Sequence, residues 1–130
     1  MSTQVVVVGS GYAGAGAIKR LENELDAGVD LTWVSDQDYH LVLHEAHRCI
    51  RDPSVESKIT IPVDDIKSPS TEFVTGRVID VDVDDRVVEL EHDEIGYDYL
   101  LLGIGSGTAF FGIDGLQEHA HELKSLDDVR

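Results

Sequence analysis

The chain has 130 residues, enough for one domain with a core of its own. Its 26 Asp+Glu against 10 Lys+Arg give a formal net charge of −16 at pH 7, which argues against nucleic acid or an anionic membrane surface as a partner. A single cysteine, Cys49, excludes an intrachain disulfide and a Cys-x-x-Cys site, and no apolar run approaches the ~20 residues of a membrane span.

The N-terminus also lacks a basic region followed by an apolar run, so a soluble, cytoplasmic protein is the expectation. The acidic excess brings strong self-repulsion at low ionic strength. Because the Debye length falls to ~3 Å at 1 M salt, such a surface suits a halophilic protein, with an ordinary acidic protein as the alternative.

In chain order, Val5-Val6-Val7-Val8 is too short for a helix and rich in β-branching, and reads as a strand buried on both faces of a parallel sheet. Gly9, Gly11 and Gly14 follow in G-x-G-x-x-G register, and Ala17, Ile18, Leu21 and Leu25 then recur at helical spacing. Between a strand and a helix this turn has the chemistry of a dinucleotide site. The first glycine permits the turn, the second lets backbone approach a pyrophosphate, and the third lets helix and strand pack closely.

Gly28 ends the helix, and Leu31 to Asp36 reads as a second strand. An acid at the end of such a strand holds the ribose hydroxyls, about 20 residues after the glycines. Asp36 stands at that distance and Ser35 competes with it, since alternation points the two side chains oppositely; the sequence leaves both open. Tyr39 to Ile50, if helical, would bring His40, His44 and His47 toward one face, but His44-Glu45-Ala46-His47 is one residue short of the zincin spacing. Histidines near a cofactor are the preferred reading, and no metal site is assigned. Asp52-Pro53 breaks the segment, and Ile59 to Ile66 reads as a short strand entering a short helix.

Ile79, Val81 and Val83 alternate with Asp80, Asp82 and Asp84, a turn follows at Asp84-Asp85, and Val87 to Leu90 returns as the second strand of an antiparallel hairpin with an acidic face. Asp80, Asp82, Asp84 and Glu91 fall at calcium-loop positions, but Asp85 fills the slot that requires glycine. Tyr97 to Leu102 is a buried strand running into Gly103, Gly105 and Gly107, whose exposed backbone suits a second approach to a cofactor. From Glu118 to Arg130 the chain is polar with helical character.

Taken together, the glycine turn, Asp38-Tyr39-His40, His44-Glu45, Phe73 to Val78, Tyr97 to Ser106, and Phe111-Gly112-Ile113 with Leu123 to Asp128 resemble the N-terminal part of type II NADH dehydrogenases. The resemblance implies an α/β Rossmann-like FAD/NAD(P)-binding fold, a parallel sheet with an attached antiparallel hairpin. Residues 1–130 would be an incomplete FAD domain, without the NADH domain and C-terminal segments.

It implies FAD as cofactor, with NADH and a membrane quinone as partners of the complete enzyme only. That enzyme would be peripheral on the cytoplasmic face of the membrane, whereas this chain would make no membrane contact. Gly9, Gly11, Tyr12, Ala13 and Gly14 would line the pyrophosphate, Val78 would present backbone to the adenine, and Gly105 with Ser106 would close on the FAD. The family acid aligns with Ser35, which transfers or weakens the ribose contact, and alanine is usual at Gly103. No catalytic side chain is implied, since the chemistry rests on the flavin. Two other readings are a non-catalytic dinucleotide-binding or interaction module, and part of a coenzyme A disulfide or sulfide:quinone oxidoreductase using Cys49. Sheet edges left open by an incomplete domain make self-association a further expectation.

Overall fold

The computed structural model describes residues 2–130. In chain order its strands and helices are β1 (Thr3–Val8), α1 (Tyr12–Glu24), β2 (Val29–Ser35), β3 (Tyr39–Leu41), α2 (Arg48–Arg51), α3 (Glu56–Ile59), β4 (Thr60–Pro62), α4 (Val63–Ile66), β5 (Glu72–Thr75), β6 (Val78–Asp82), β7 (Val87–Leu90), β8 (Glu94–Gly96), β9 (Tyr99–Leu102) and α5 (Leu116–His119). They fall into two units. One runs to His40 and resumes over Pro62–Gly105; the other comprises Leu41–Ile61 and Ser106–Arg130.

The first unit is an α/β layer around a parallel sheet of order β5-β2-β1-β9. β1 is central, in register from Thr3↔Val29 to Val8↔Val34 with β2 and from Val5↔Tyr99 to Val8↔Leu102 with β9. A central parallel strand must bury both faces, and the four valines divide between them by simple alternation. Val5 and Val7 enter a cluster with Ile18 of α1, Leu31, Trp33 and Val63. Val6 and Val8 face the other way, into a cluster with Val34, Val88 and Leu90. Burying each such side chain stabilises the fold by about 1.5–3 kcal/mol, so neither covering layer is dispensable.

The second cluster is covered by the antiparallel sheet β6-β7-β8, a three-stranded meander rather than the two-stranded hairpin expected. The added strand β8 is only three residues long, too short for its alternation to stand out in the sequence. The even alternation expected for Ile79, Val81 and Val83 also fails, because a bulge between Val78 and Asp80 shifts the register against β7. Ile79 is 60% exposed and Val83, in the turn, 74%. Residues 83–86 form that turn; Asp82 Oδ1 accepts the Asp85 N–H at 2.9 Å, and Arg86 takes φ 55°.

The segment 39–50, which as one helix would bring His40, His44 and His47 toward one face, is broken. β3 is extended, Val42 leaves the helical region at φ −77°, ψ 78°, and its N–H pairs with the Ile59 carbonyl at 2.8 Å. A single 3₁₀ turn at Leu43–Glu45 and the short α2 follow. Asp52 then caps the next turn, accepting from the Ser54 N–H and hydroxyl at 3.1 and 2.7 Å. Residues 118–130 form no continuous helix either. They hold the end of α5 and a 3₁₀ turn at Asp127–Val129, tied down by Asp128 accepting the Lys124 and Ser125 N–H groups, both at 2.8 Å, and by Arg130 on Glu56 at 2.7 Å.

Candidate functional site

The three glycines between β1 and α1 are required for different reasons. Gly9 takes φ +110°, and a Cβ there would stand 2.1 Å from the Gly103 carbonyl oxygen. A Cβ on Gly14 would stand 1.8 Å from the Gly9 carbonyl oxygen, so α1 packs on the end of β1 only without a side chain at that point. Gly11 is unlike both. Its φ −74° and ψ −166° are open to any residue, and a Cβ there would meet nothing within 4 Å. Neither backbone strain nor packing within the chain calls for glycine at this position, which leaves clearance for something outside the chain.

Gly11 is also the N-cap of α1. It supplies no side-chain oxygen to the first turn, and that turn contains no acidic residue. A 13-residue helix therefore presents its positive end with no side-chain cap from Gly11 and no carboxylate to complement it, which is the setting an anion fills. On chemistry and clearance, a pyrophosphate fits.

The turn is held rigidly from below. The Gly9 N–H donates to the Val34 carbonyl and the Gly103 N–H to the Val8 carbonyl, both at 2.8 Å. Trp33, fully buried, donates its indole Nε1–H to the Gly9 carbonyl at 2.6 Å. Its ring meets Phe73 edge to face at 5.7 Å. Ser35 at the end of β2 turns its hydroxyl onto the Ser10 hydroxyl at 2.9 Å and accepts the Gln37 N–H at 3.2 Å. His40 on β3 is buried, with Nδ1 2.8 Å from the Ser10 carbonyl oxygen and its ring 4.7 Å from that of Tyr12, edge to face.

Of the residues singled out in the sequence, Gly9, Gly11, Tyr12, Ala13, Gly14 and Ser35 gather at this turn. Ser35 is buried and faces it; Asp36, one residue later, is exposed. Val78 opens β6 and packs its side chain into the second cluster. Gly105 takes φ +78° with open space where a Cβ would be. Ser106 belongs to the second unit, where its Oγ accepts from Lys124 Nζ at 3.2 Å. His44 and His47 are exposed in the second unit while His40 is buried in the first, and among the described residues no three His, Cys, Asp or Glu side chains are arranged to hold a metal. Asp80 and Asp82 turn their carboxylates onto nearby backbone N–H groups of Val81 and Asp85.

Trp33 and Ser10 were not singled out in the sequence, and His40 and Gly103 only loosely, as one of three histidines near a cofactor and one of three glycines in a cluster. Trp33 carried no sequence mark beyond its place in a strand. Gly103 lay in the right glycine cluster; a Cβ there would come within 3.2 to 3.3 Å of the Gly14 nitrogen, Ala13 Cβ and the Val8 carbonyl oxygen, a tight fit at the position where the resembled family usually has alanine.

The family model described as pyridine nucleotide-disulphide oxidoreductase matches residues 3–130. The type II NADH:quinone oxidoreductase of Staphylococcus haemolyticus is 27% identical over 129 residues, covering 98% of this chain and 32% of the relative. The chain thus spans about a third of the length of the curated relatives it matches. Among solved structures, the sulfide:quinone oxidoreductase from Aquifex aeolicus superposes with a TM-score of 0.83 at 22% identity, covering 98% of this chain and 30% of that one. NDH2 from Plasmodium falciparum, in complex with NADH, gives a TM-score of 0.83 at 19% identity, with 99% and 27% covered. At these identities the two structures speak to the fold. Among the described residues no helix is long and apolar enough to cross a membrane.

Proposed function

The chain belongs to the pyridine nucleotide-disulphide oxidoreductase family, and from that premise we propose that it is the FAD-binding portion of a type II NADH:quinone oxidoreductase. The observation that carries the proposal is Gly11, a glycine that neither its backbone angles nor its neighbours require, at the N-cap of α1, whose first turn holds no acidic residue. Gly9, Gly11, Tyr12, Ala13 and Gly14 would hold the pyrophosphate, with Gly105 and Ser106 closing on the cofactor and Val78 offering backbone to the adenine. Ser35 and Asp36 share the ribose end. Ser35 is nearer the turn but brings a hydroxyl, not a carboxylate, so FAD would be held more weakly than where an acid stands. When bound, the flavin ring would supply acceptance of hydride from NADH and its passage to a quinone. No side chain of this chain takes a chemical part, and the portion alone would be inactive.

The curated relatives favour the NADH:quinone reading over the sulfide:quinone and coenzyme A disulfide readings. So does Cys49, which is buried on α2 as a free thiol. A setting in concentrated salt would suit the net charge of −16, because such salt screens the self-repulsion. Self-association would cover the exposed apolar residues of the edge strand β9, Tyr99 and Leu102, and of Ile104 beyond it.

The test is a titration with FAD at molar and at low salt, followed by flavin fluorescence and thermal unfolding. Saturable binding with a rise in unfolding temperature supports the reading. Binding of ADP or NAD without flavin would replace it with a nucleotide-binding module, and no binding by a demonstrably folded chain would overturn it.

A further inference from the structure

The proposed site leaves His40 without a role, although its ring reaches the middle of the glycine turn. The Ser10 carbonyl can only accept, so at 2.8 Å Nδ1 must carry the hydrogen and donate it. That carbonyl belongs to the Ser10–Gly11 peptide. Among the described residues no peptide bond is cis, so the Gly11 N–H points in the opposite direction from the Ser10 C=O, away from His40. The Ser10 side chain is held as well, by the Ser35 hydroxyl at 2.9 Å, and the Tyr12 ring abuts the imidazole at 4.7 Å. One buried imidazole thus fixes the rotation of the Ser10–Gly11 peptide plane, the one that ends at the clearance at Gly11.

We propose that His40 is a positioning residue of the dinucleotide site, whose Nδ1–H pins the Ser10 carbonyl so that the Gly11 N–H is aimed at the ligand's phosphates. The proposal rests on the reading of the turn as a dinucleotide site. Without that donor the peptide is free to rotate, and the N–H has to be ordered at the moment of binding. The loss expected is about tenfold in affinity, the order associated with one hydrogen bond.

Three variants separate the donor from mere bulk. His40→Asn places an amide N–H near the position of Nδ1, His40→Gln carries the same amide one methylene too far, and His40→Leu keeps apolar bulk with no donor. FAD and ADP dissociation constants are measured for each, alongside far-UV circular dichroism and unfolding temperature. The expected result is near wild-type affinity for His40→Asn and about tenfold weaker binding for the other two, in folded proteins. Equal affinity in all variants, or His40→Asn as weak as His40→Gln, overturns the proposal.

Should the variants fail to fold, the tautomer of His40 in the wild-type protein decides, read from long-range 1H–15N correlations. A proton on Nδ1 sustains the proposal and a bare Nδ1 with the proton on Nε2 removes it. Failure of the wild-type protein itself to bind either ligand would count against the dinucleotide reading, a result distinct from a tautomer that contradicts the role of His40.

Discussion

Alanine substitution at two glycines of α1, Gly14 and Gly16, should have opposite effects on stability. At Gly14 the new Cβ would lie 1.8 Å from the Gly9 carbonyl oxygen, against roughly 3.5 Å for an ordinary contact, so the helix end must retreat by more than an ångström. The obstacle is backbone on both sides, and the Gly9 carbonyl is itself held by Trp33 Nε1 at 2.6 Å. Overpacking of this kind costs about 1–3 kcal/mol, and a buried indole N–H left without its acceptor about 1–3 kcal/mol more. The better helix propensity of alanine returns at most about 1 kcal/mol. A net loss of about 1–5 kcal/mol is a large share of the ~5–15 kcal/mol that holds a domain together.

Gly16 is exposed within the same helix and a Cβ there meets nothing within 4 Å, so Gly16→Ala should stabilise by about 0.5–1 kcal/mol. Urea unfolding read by the fluorescence of Trp33, the only tryptophan, measures both variants and reports directly on the bond that Gly14→Ala is expected to break. A Gly14→Ala protein within about 1 kcal/mol of wild type, or a destabilised Gly16→Ala, would refute the packing argument.

Four further outcomes are expected. Gly11→Ala should fold as wild type, since its Cβ meets no atom of the chain, yet bind FAD at least about tenfold more weakly; unchanged affinity would detach the turn from the ligand. Trp33→Phe keeps most of the apolar volume but removes the donor to Gly9, and chemical denaturation should show a loss of about 1–3 kcal/mol. The Glu56 carboxyl is held below its ordinary 4.5 chiefly by the hydrogen bond from Arg130. A depressed carboxyl contributes stability that is full above its unfolded value and lost as pH falls through its folded one, so Glu56→Gln should flatten part of the decline in unfolding temperature below about pH 4.5; an unaltered acid limb would show that this pair contributes nothing. Raising salt from ~0.1 M to ~2 M should raise the unfolding temperature of a chain with net charge −16, and a flat response would remove the case for salt adaptation.

What could be read from sequence here is what is encoded locally. The four valines of β1 announce a strand buried on both faces because their β-branching and their number are properties of the segment itself, and alternation alone then sends Val5 and Val7 to one cluster and Val6 and Val8 to the other. The G-x-G-x-x-G spacing likewise locates the turn. The hairpin was legible as a period of two, but not its bulge at Val78–Asp80 or its third strand, because both are set by the partner β7 and not by the strand's own residues. The helical spacing of His40, His44 and His47 is not realised for the same reason: Val42 finds its hydrogen bond on Ile59, 17 residues away in sequence, and that pairing outcompetes a helix.

The site divides along the same line, and it shows why a glycine motif alone is weak evidence for a ligand. Gly9 and Gly14 would be needed even in a turn that bound nothing, since Gly103 and the Gly9 carbonyl crowd them from within the chain. Only Gly11, which the chain itself does not require to be glycine, bears on binding, and that distinction becomes visible when the neighbours of each position are known. The devices that fix the turn for use, the indole of Trp33 on Gly9 and the imidazole of His40 on Ser10, join residues 24 and 30 positions apart in sequence. Each is an ordinary buried aromatic in its own segment. These contacts arise because parallel pairing of β1 with β2 carries the end of β2, and the segment that follows it, alongside the glycine turn, so that the strand order which buries the valines also places the groups that hold the turn.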